Sequence, residues 1–381
     1  MKTLVRLTIL AAMILVPTSG MAQKAREVLK SARLANEYFM QHYPDPAKPT
    51  FVKKERSSNL WTRAVYYEGL MALYAIDKKK RYIDYVDAWG NAHKWDVRDG
   101  VRTRNADNQC CAQTYLDRFD MTGDSAMIRN VIANFDAQIA DDNADFEKQC
   151  AQKKFWWWID AIQMALPAMA HLSAITGDMK YKHEGKMLYE WIRNKEDGGL
   201  FNEQEGFWWR DADFNPPYKE ADGANCYWSR GNGWVFAAYC RSLKYIGYEC
   251  KFGKLLLKDY MTMVNAVVKS QRSDGFWNVS LASPTTYPGA ETTGTSLFLY
   301  GLAWGINNGH LSKDEYKPVC DKAWKALATV VHNDGFLGYV QGTGKEPKDG
   351  QPVTFDSKPD FEDYGLGCFL LGATEYYKMI K

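Results

Sequence analysis

The sequence predicts an all-α protein, an (α/α)6 barrel of six helical hairpins, and three observations lead there. Apolar residues recur at helical spacing in twelve separate segments. The connections between those segments alternate strictly between tight turns and long loops. No hairpin carries the polar outer face that the terminal unit of an open stack needs. The alternation implies hairpins stacked side by side with every long loop on one rim, and the lack of caps favours a closed ring over an open solenoid.

The twelve segments lie near residues 24–42, 58–76, 79–93, 106–121, 124–140, 157–175, 178–194, 228–247, 251–270, 290–307, 312–331 and 362–379. Two of the tight turns read Thr122-Gly123-Asp124 and Thr176-Gly177-Asp178, a glycine where one helix ends and an aspartate where the next is capped. Residues 245–249 and 308–312 serve as the same kind of turn. The long loops share an Asp-Gly pair, at Asp99-Gly100, Asp197-Gly198, Asp274-Gly275 and Asp334-Gly335.

Before the first segment, Lys2 and Arg6 lead an apolar run from Leu7 to Val16, followed by Pro17 and the small residues Gly20 and Ala22. That is the pattern of an export signal covering residues 1–22, cleaved before Gln23 and leaving residues 23–381 as a single periplasmic barrel domain. The run is shorter than the roughly 20 residues a membrane crossing needs. The whole chain has 48 Lys and Arg against 46 Asp and Glu; without Lys2 and Arg6 the signs balance, so bulk charge recruits neither nucleic acid nor an anionic membrane. Eight cysteines without a CxxC pair suggest buried thiols, with room for one disulfide. The six histidines are scattered, and no metal or other cofactor is expected.

If the long loops share a rim, every inner helix begins there and its first residues converge on a central pit. Those starts contain Trp61 and Arg63, Asp107 and Asn108, Trp156 to Trp158 with Asp160, Arg230 and Trp234, Glu291, and Asp363. Aromatic rings stack on pyranose faces, while charged groups fix hydroxyls and acids, so this mixture suits a carbohydrate. Trp61, Asn108, Trp158 and, from a long loop, Trp209 are the expected lining. Helix capping alone explains many acids at such positions, Glu291 and Asp363 most readily.

Asp160 follows three tryptophans and opens the apolar run IDAIQMALPAMA, an environment that raises a carboxyl's pKa, although a helix start pulls the other way. Asp107 opens the preceding inner helix, giving the pair of carboxyls that sugar chemistry commonly uses. Arg230 is the natural partner for a substrate acid. Gly231 and Gly233 are suited to a close ligand approach, and Trp234 shares the helix face of Arg230.

The strings NADN, WWWIDAIQMALP, YWSRGNGWV, SDGFWN and DYGLGCFLLGATEYY resemble, in order and spacing, the unsaturated rhamnogalacturonyl hydrolases of glycoside hydrolase family 105. The unsaturated glucuronyl hydrolases of family 88 are more distant relatives. The resemblance implies an (α/α)6 barrel in which Asp160 is the acid/base, Asp107 assists, and Arg230 and Trp234 bind the uronate. It also implies the reaction. A 4,5-unsaturated uronic acid at the end of a lyase-generated oligosaccharide is protonated at C4, water adds at C5, and the hemiketal opens. The sequence departs from the pattern in the loop before the arginine motif, which has no histidine; Trp208, Trp209 or Arg210 takes that space. Which uronate and which adjoining sugar are accepted is left open. A conventional inverting glycosidase, a sugar epimerase and a non-catalytic sugar-binding protein are the competing readings.

Overall fold

A computed structural model describes residues 16–142 and 145–381. The expected leader lies mostly outside these residues, and its last part, from Val16, already belongs to the first helix. That helix, α1 (Val16–His42), runs unbroken through the expected cleavage junction. No helix among the described residues is long and apolar enough to cross a membrane.

The inner helices are α2 (Trp61–Asp77), α4 (Ala106–Gln109) with α5 (Ala112–Thr122), α8 (Asp160–Thr176), α10 (Ser229–Ile246), α12 (Thr292–Asn307) and α14 (Asp363–Ile380). The helix α2 packs on α5, α5 on α8, α8 on α10, α10 on α12, α12 on α14, and α14 back on α2. This closes the ring expected from the alternating connections. Inner helices touch neighbours on every side, so α8 is buried from Asp160 to Ser173 and α12 from Thr292 to Gly305.

The outer layer is α1, α3 (Lys80–Ala92), α6 (Arg129–Asp142), α9 (Lys180–Asn194), α11 (Lys251–Ser270) and α13 (Lys313–Leu327). These helices are amphipathic: α11 buries Phe252, Leu256, Tyr260, Met263 and Val267, three or four residues apart, and leaves its lysines to solvent. Five outer helices follow their inner partners through tight turns, and α1 is packed against α14 to complete the sixth pair.

The turns follow the residues. Gly123 and Gly177 end their helices in the left-handed region, at φ 70° and 72°. Asp124 then accepts from Ala126 N, and Asp178 from Lys180 N, both at 2.9 Å. At the seam between α2 and α14 the backbones nearly touch; a Cβ on Gly367 would sit 2.2 Å from Val65 O, so only glycine fits.

Three features depart from the expected pattern. The segment 106–121 is two helices, because Asn108 O accepts from Arg98 N at 3.1 Å and the helical ladder lapses at Cys110 and Cys111. A short helix, α7 (Phe146–Ala151), precedes the tryptophan run. Two antiparallel pairs, β1 (Thr50–Phe51) with β2 (Glu55–Arg56) and β3 (Phe201–Asn202) with β4 (Phe207–Trp208), brace rim loops. Cys110, Cys111, Cys226, Cys240, Cys250, Cys320 and Cys368 are free thiols.

Candidate active site

Asp160 is the first residue of α8 and is buried at the rim end of the ring. Its Oδ2 accepts from Arg210 Nε at 3.2 Å. Burial pushes the carboxyl's pKa up, while the Arg210 charge and the residue's own backbone N–H pull it down; the net shift is upward. Asp107, in the first turn of α4, is half-buried, and Asn105 caps its backbone N–H at 2.9 Å. Desolvation, and next the charge of Asp160, push Asp107 up to about 7. The two carboxyls therefore sense one another. The Asp107 carboxyl has no hydrogen-bond or ion-pair partner among the described residues.

The loop that lacks the expected histidine delivers Arg210. Trp208 is turned inward and fully buried, while Trp209 leans on Tyr227 with ring centroids 5.7 Å apart. Arg210 reaches Asp160 because its backbone is stitched to the tryptophan run: Arg210 O accepts from Ile159 N at 3.0 Å, and Trp158 bridges Asp211. A second bond, from Arg210 Nη1 to Asp211 Oδ2 at 2.5 Å, holds the guanidinium 5.7 Å over the Trp157 ring. The segment leading into Asp160 thus carries Trp157 and the mostly buried Trp158, 4.9 Å apart. Trp61 is half-buried and stands against Tyr364 and Trp234.

The structure places several of the expected site residues in other surroundings. Arg230 is fully buried between the rings of Trp228 and Tyr364, and its Nη1 and Nη2 donate to Gln341 O and Gly342 O at 2.8 Å. Those bonds hold the rim loop down and leave no terminal amino group aimed at a substrate acid. Trp234 is fully buried as well, so it has no free face for a sugar. Gly231 and Gly233 serve packing: a Cβ on Gly233 would stand 2.9 Å from the Leu297 side chain of α12. Asn108 donates to Asp99 and Thr103 at 2.9 Å and accepts from Arg98, which fixes the loop before α4. Glu291 caps α12, accepting from Thr293 N and Gly294 N, and Asp363 lies 3.5 Å from Arg63. Both of these act as helix-start residues.

A cavity of about 920 Å³ opens beside the Asp107 helix, lined by Arg104, Asn105, Asn108, Lys148, Gln152 and Phe155, which is room for more than one sugar ring. Arg210 was legible only as a filler for the missing histidine; the run Trp-Arg-Asp-Ala-Asp is the signal that could have marked it, a cation flanked by carboxylates beside aromatic residues.

Comparison with known proteins agrees with the motif reading. A Formosa agariphila protein named unsaturated 3S-rhamnoglycuronyl hydrolase is 29% identical over 330 residues, covering 84% of each chain. The structure of a glycosyl hydrolase family 88 protein from Bacteroides vulgatus is 30% identical, with a TM-score of 0.81 over 93% of this chain and 99% of that one. A structure described as a polysaccharide lyase is 29% identical with the same TM-score, over 93% and 97%. Residues 31–380 match the family described as Glycosyl Hydrolase Family 88. With its barrel closed and two electrostatically coupled carboxyls at helix starts, this chain belongs to glycosyl hydrolase family 88.

Proposed function

We propose that the protein removes a terminal 4,5-unsaturated uronic acid from lyase-generated oligosaccharides, with Asp160 as proton donor and base and Asp107 as its assistant. The observation that carries this is the pair itself: two electrostatically coupled carboxyls at the starts of neighbouring inner helices, one with no protein partner and raised to about 7. Near neutral pH Asp107 is poised between its protonated and ionised forms, and Asp160 is shifted towards its protonated form, which is what an acid that later acts as base requires. Asp160 gives its proton to C4 of the enol ether; positive charge develops at C5 and the ring oxygen. Water then adds at C5 as Asp160 recovers a proton, and the hemiketal opens to release the neighbouring sugar. The half-buried Trp61 and Trp157 supply apolar faces beside these groups.

The name of the Formosa agariphila relative supports a uronate joined to rhamnose. The leader of Lys2, Arg6 and the Leu7–Val16 run supports export, and the periplasm is the compartment we assign.

The test is ultraviolet absorbance of the conjugated double bond in lyase-made glucuronyl-rhamnose and galacturonyl-rhamnose disaccharides. Decay of absorbance supports the proposal. The lyase-like neighbour gives a second reading its footing, and there an intact uronate polymer would gain absorbance instead. Cleavage of saturated disaccharide with absorbance unchanged would favour the inverting glycosidase.

A further inference from the structure

Two arginines bring charge to Asp160, and they differ in what they can offer a ligand. Arg230 has both terminal amino groups on buried backbone carbonyls, and turning it outward would strand those carbonyls. Arg210 keeps 14% of its side chain exposed, beside an Asp160 side chain at 11%. Its Nη2 has no hydrogen-bond partner among the described residues. Its anchor is secure: Asp211 is 2% exposed at its side chain and is itself fixed by accepting from Asp213 N at 2.9 Å. The backbone on either side is tied to the segment that leads into Asp160. The guanidinium thus pivots on a fixed base, with one edge on Asp211 and the other on Asp160.

We propose that Arg210 receives the carboxylate of the terminal uronate in exchange for Asp160, so that docking of the substrate acid frees Asp160 to take up the proton it delivers. This rests on the uronyl hydrolase reading above. A guanidinium meets a carboxylate in two parallel hydrogen bonds, and the Nε and Nη2 edge is the pair available for it. The charge balance supplies the coupling. Without ligand, Asp160 and Asp211 both pair with the one Arg210 guanidinium. A substrate carboxylate adds a second negative group against Asp160 and removes its counter-ion, both of which favour the protonated acid. The proton comes from Asp107 or from solvent, and no other bond changes in this step. Substrates without the acid leave Asp160 paired with Arg210.

The experiment pairs a change in the protein with a change in the substrate. Wild type should favour the unsaturated uronide over its methyl ester by at least about tenfold in kcat/KM, with kcat falling along with the rise in KM. Arg210→Gln should reduce that preference to within about twofold, and Arg210→Lys, which keeps the charge without the fork, should stand between. Should Arg210→Gln not fold, the lysine variant and the wild-type ester comparison still decide. A full preference for the acid in either variant overturns the proposal and returns the carboxylate to another group. Calorimetric affinity for a saturated glucuronyl-rhamnose disaccharide and its carboxyl-reduced form repeats the comparison without turnover. If wild type turns over no unsaturated uronide yet loses acid preference with Arg210→Gln, the docking role stands and the reaction assignment falls.

Discussion

The two ends of the barrel each hold a carboxyl raised to about 7 within the field of an arginine, yet only one end is suited to chemistry. At the rim the pair is Asp107 and Asp160 with Arg210. At the base, among the inner helices, Glu68 lies 3.5 Å from Arg241, above a cavity of about 790 Å³ lined by Asp117, Tyr245, Tyr300 and Trp304. The base carboxyl is satisfied: Gln163 Nε2 donates to Glu68 Oε2 at 2.9 Å and Cys110 Sγ approaches Oε1 at 3.4 Å. Arg241 in turn donates to Gln113 at 2.7 Å. Asp107 has no such partner, and Asp160 has one that can leave. A raised pKa is therefore shared by a structural acid and a working one; unfilled hydrogen-bonding capacity separates them.

Substitutions can break or sharpen that contrast. The largest effect belongs to Asp160→Asn, which should lower kcat on the unsaturated disaccharide by at least about a hundredfold while the melting temperature holds. A residual rate within tenfold of wild type would place the proton donor elsewhere. At the other end, Glu68→Ala should act on stability, at about 3 kcal/mol in urea unfolding, because Arg241 and Gln163 would lose a buried partner. Glu68→Gln keeps most of those contacts and should leave kcat within about twofold; a large activity loss there would erase the distinction between the two ends.

The smallest effect is in the pH dependence of stability. Burial lifts Glu68 from an ordinary 4.5, and Asp107 from 3.8, to about 7. Between those values the folded protein binds more protons than the unfolded chain, so stability is highest below the ordinary values and falls as pH rises to about 7. Glu68→Gln and Asp107→Asn should each flatten the decline in melting temperature from pH 5 to pH 8. A slope unchanged by both would mean that neither acid is strongly desolvated.

The ring and its turns were legible because they follow local rules. Apolar spacing marked the inner helices, and the Thr-Gly-Asp turns carried both the end of one helix and the cap of the next. The helix starts also placed Asp107 and Asp160 at the rim. Arg230 and Trp234 sit in surroundings that the motif does not show: Arg230 is held by the carbonyls of Gln341 and Gly342, more than a hundred residues away, and Trp234 packs against Trp61 of α2. No feature near the arginine motif announces that loop. The break at Cys110 and the two short strand pairs escaped for a related reason: each depends on one or two backbone bonds, too few to leave a periodic trace.

The glycine seam between α2 and α14 also governs the order in which this molecule can be assembled. The last inner helix in chain order closes onto the first, and the bond from Thr50 Oγ1 to Asp363 joins residues 313 apart. Until α14 arrives, α2 and α12 present uncovered apolar flanks. Contacts of such long range form late and slowly. The nascent chain thus spends most of its synthesis as an open crescent, a state prone to aggregation that holding chaperones would recognise.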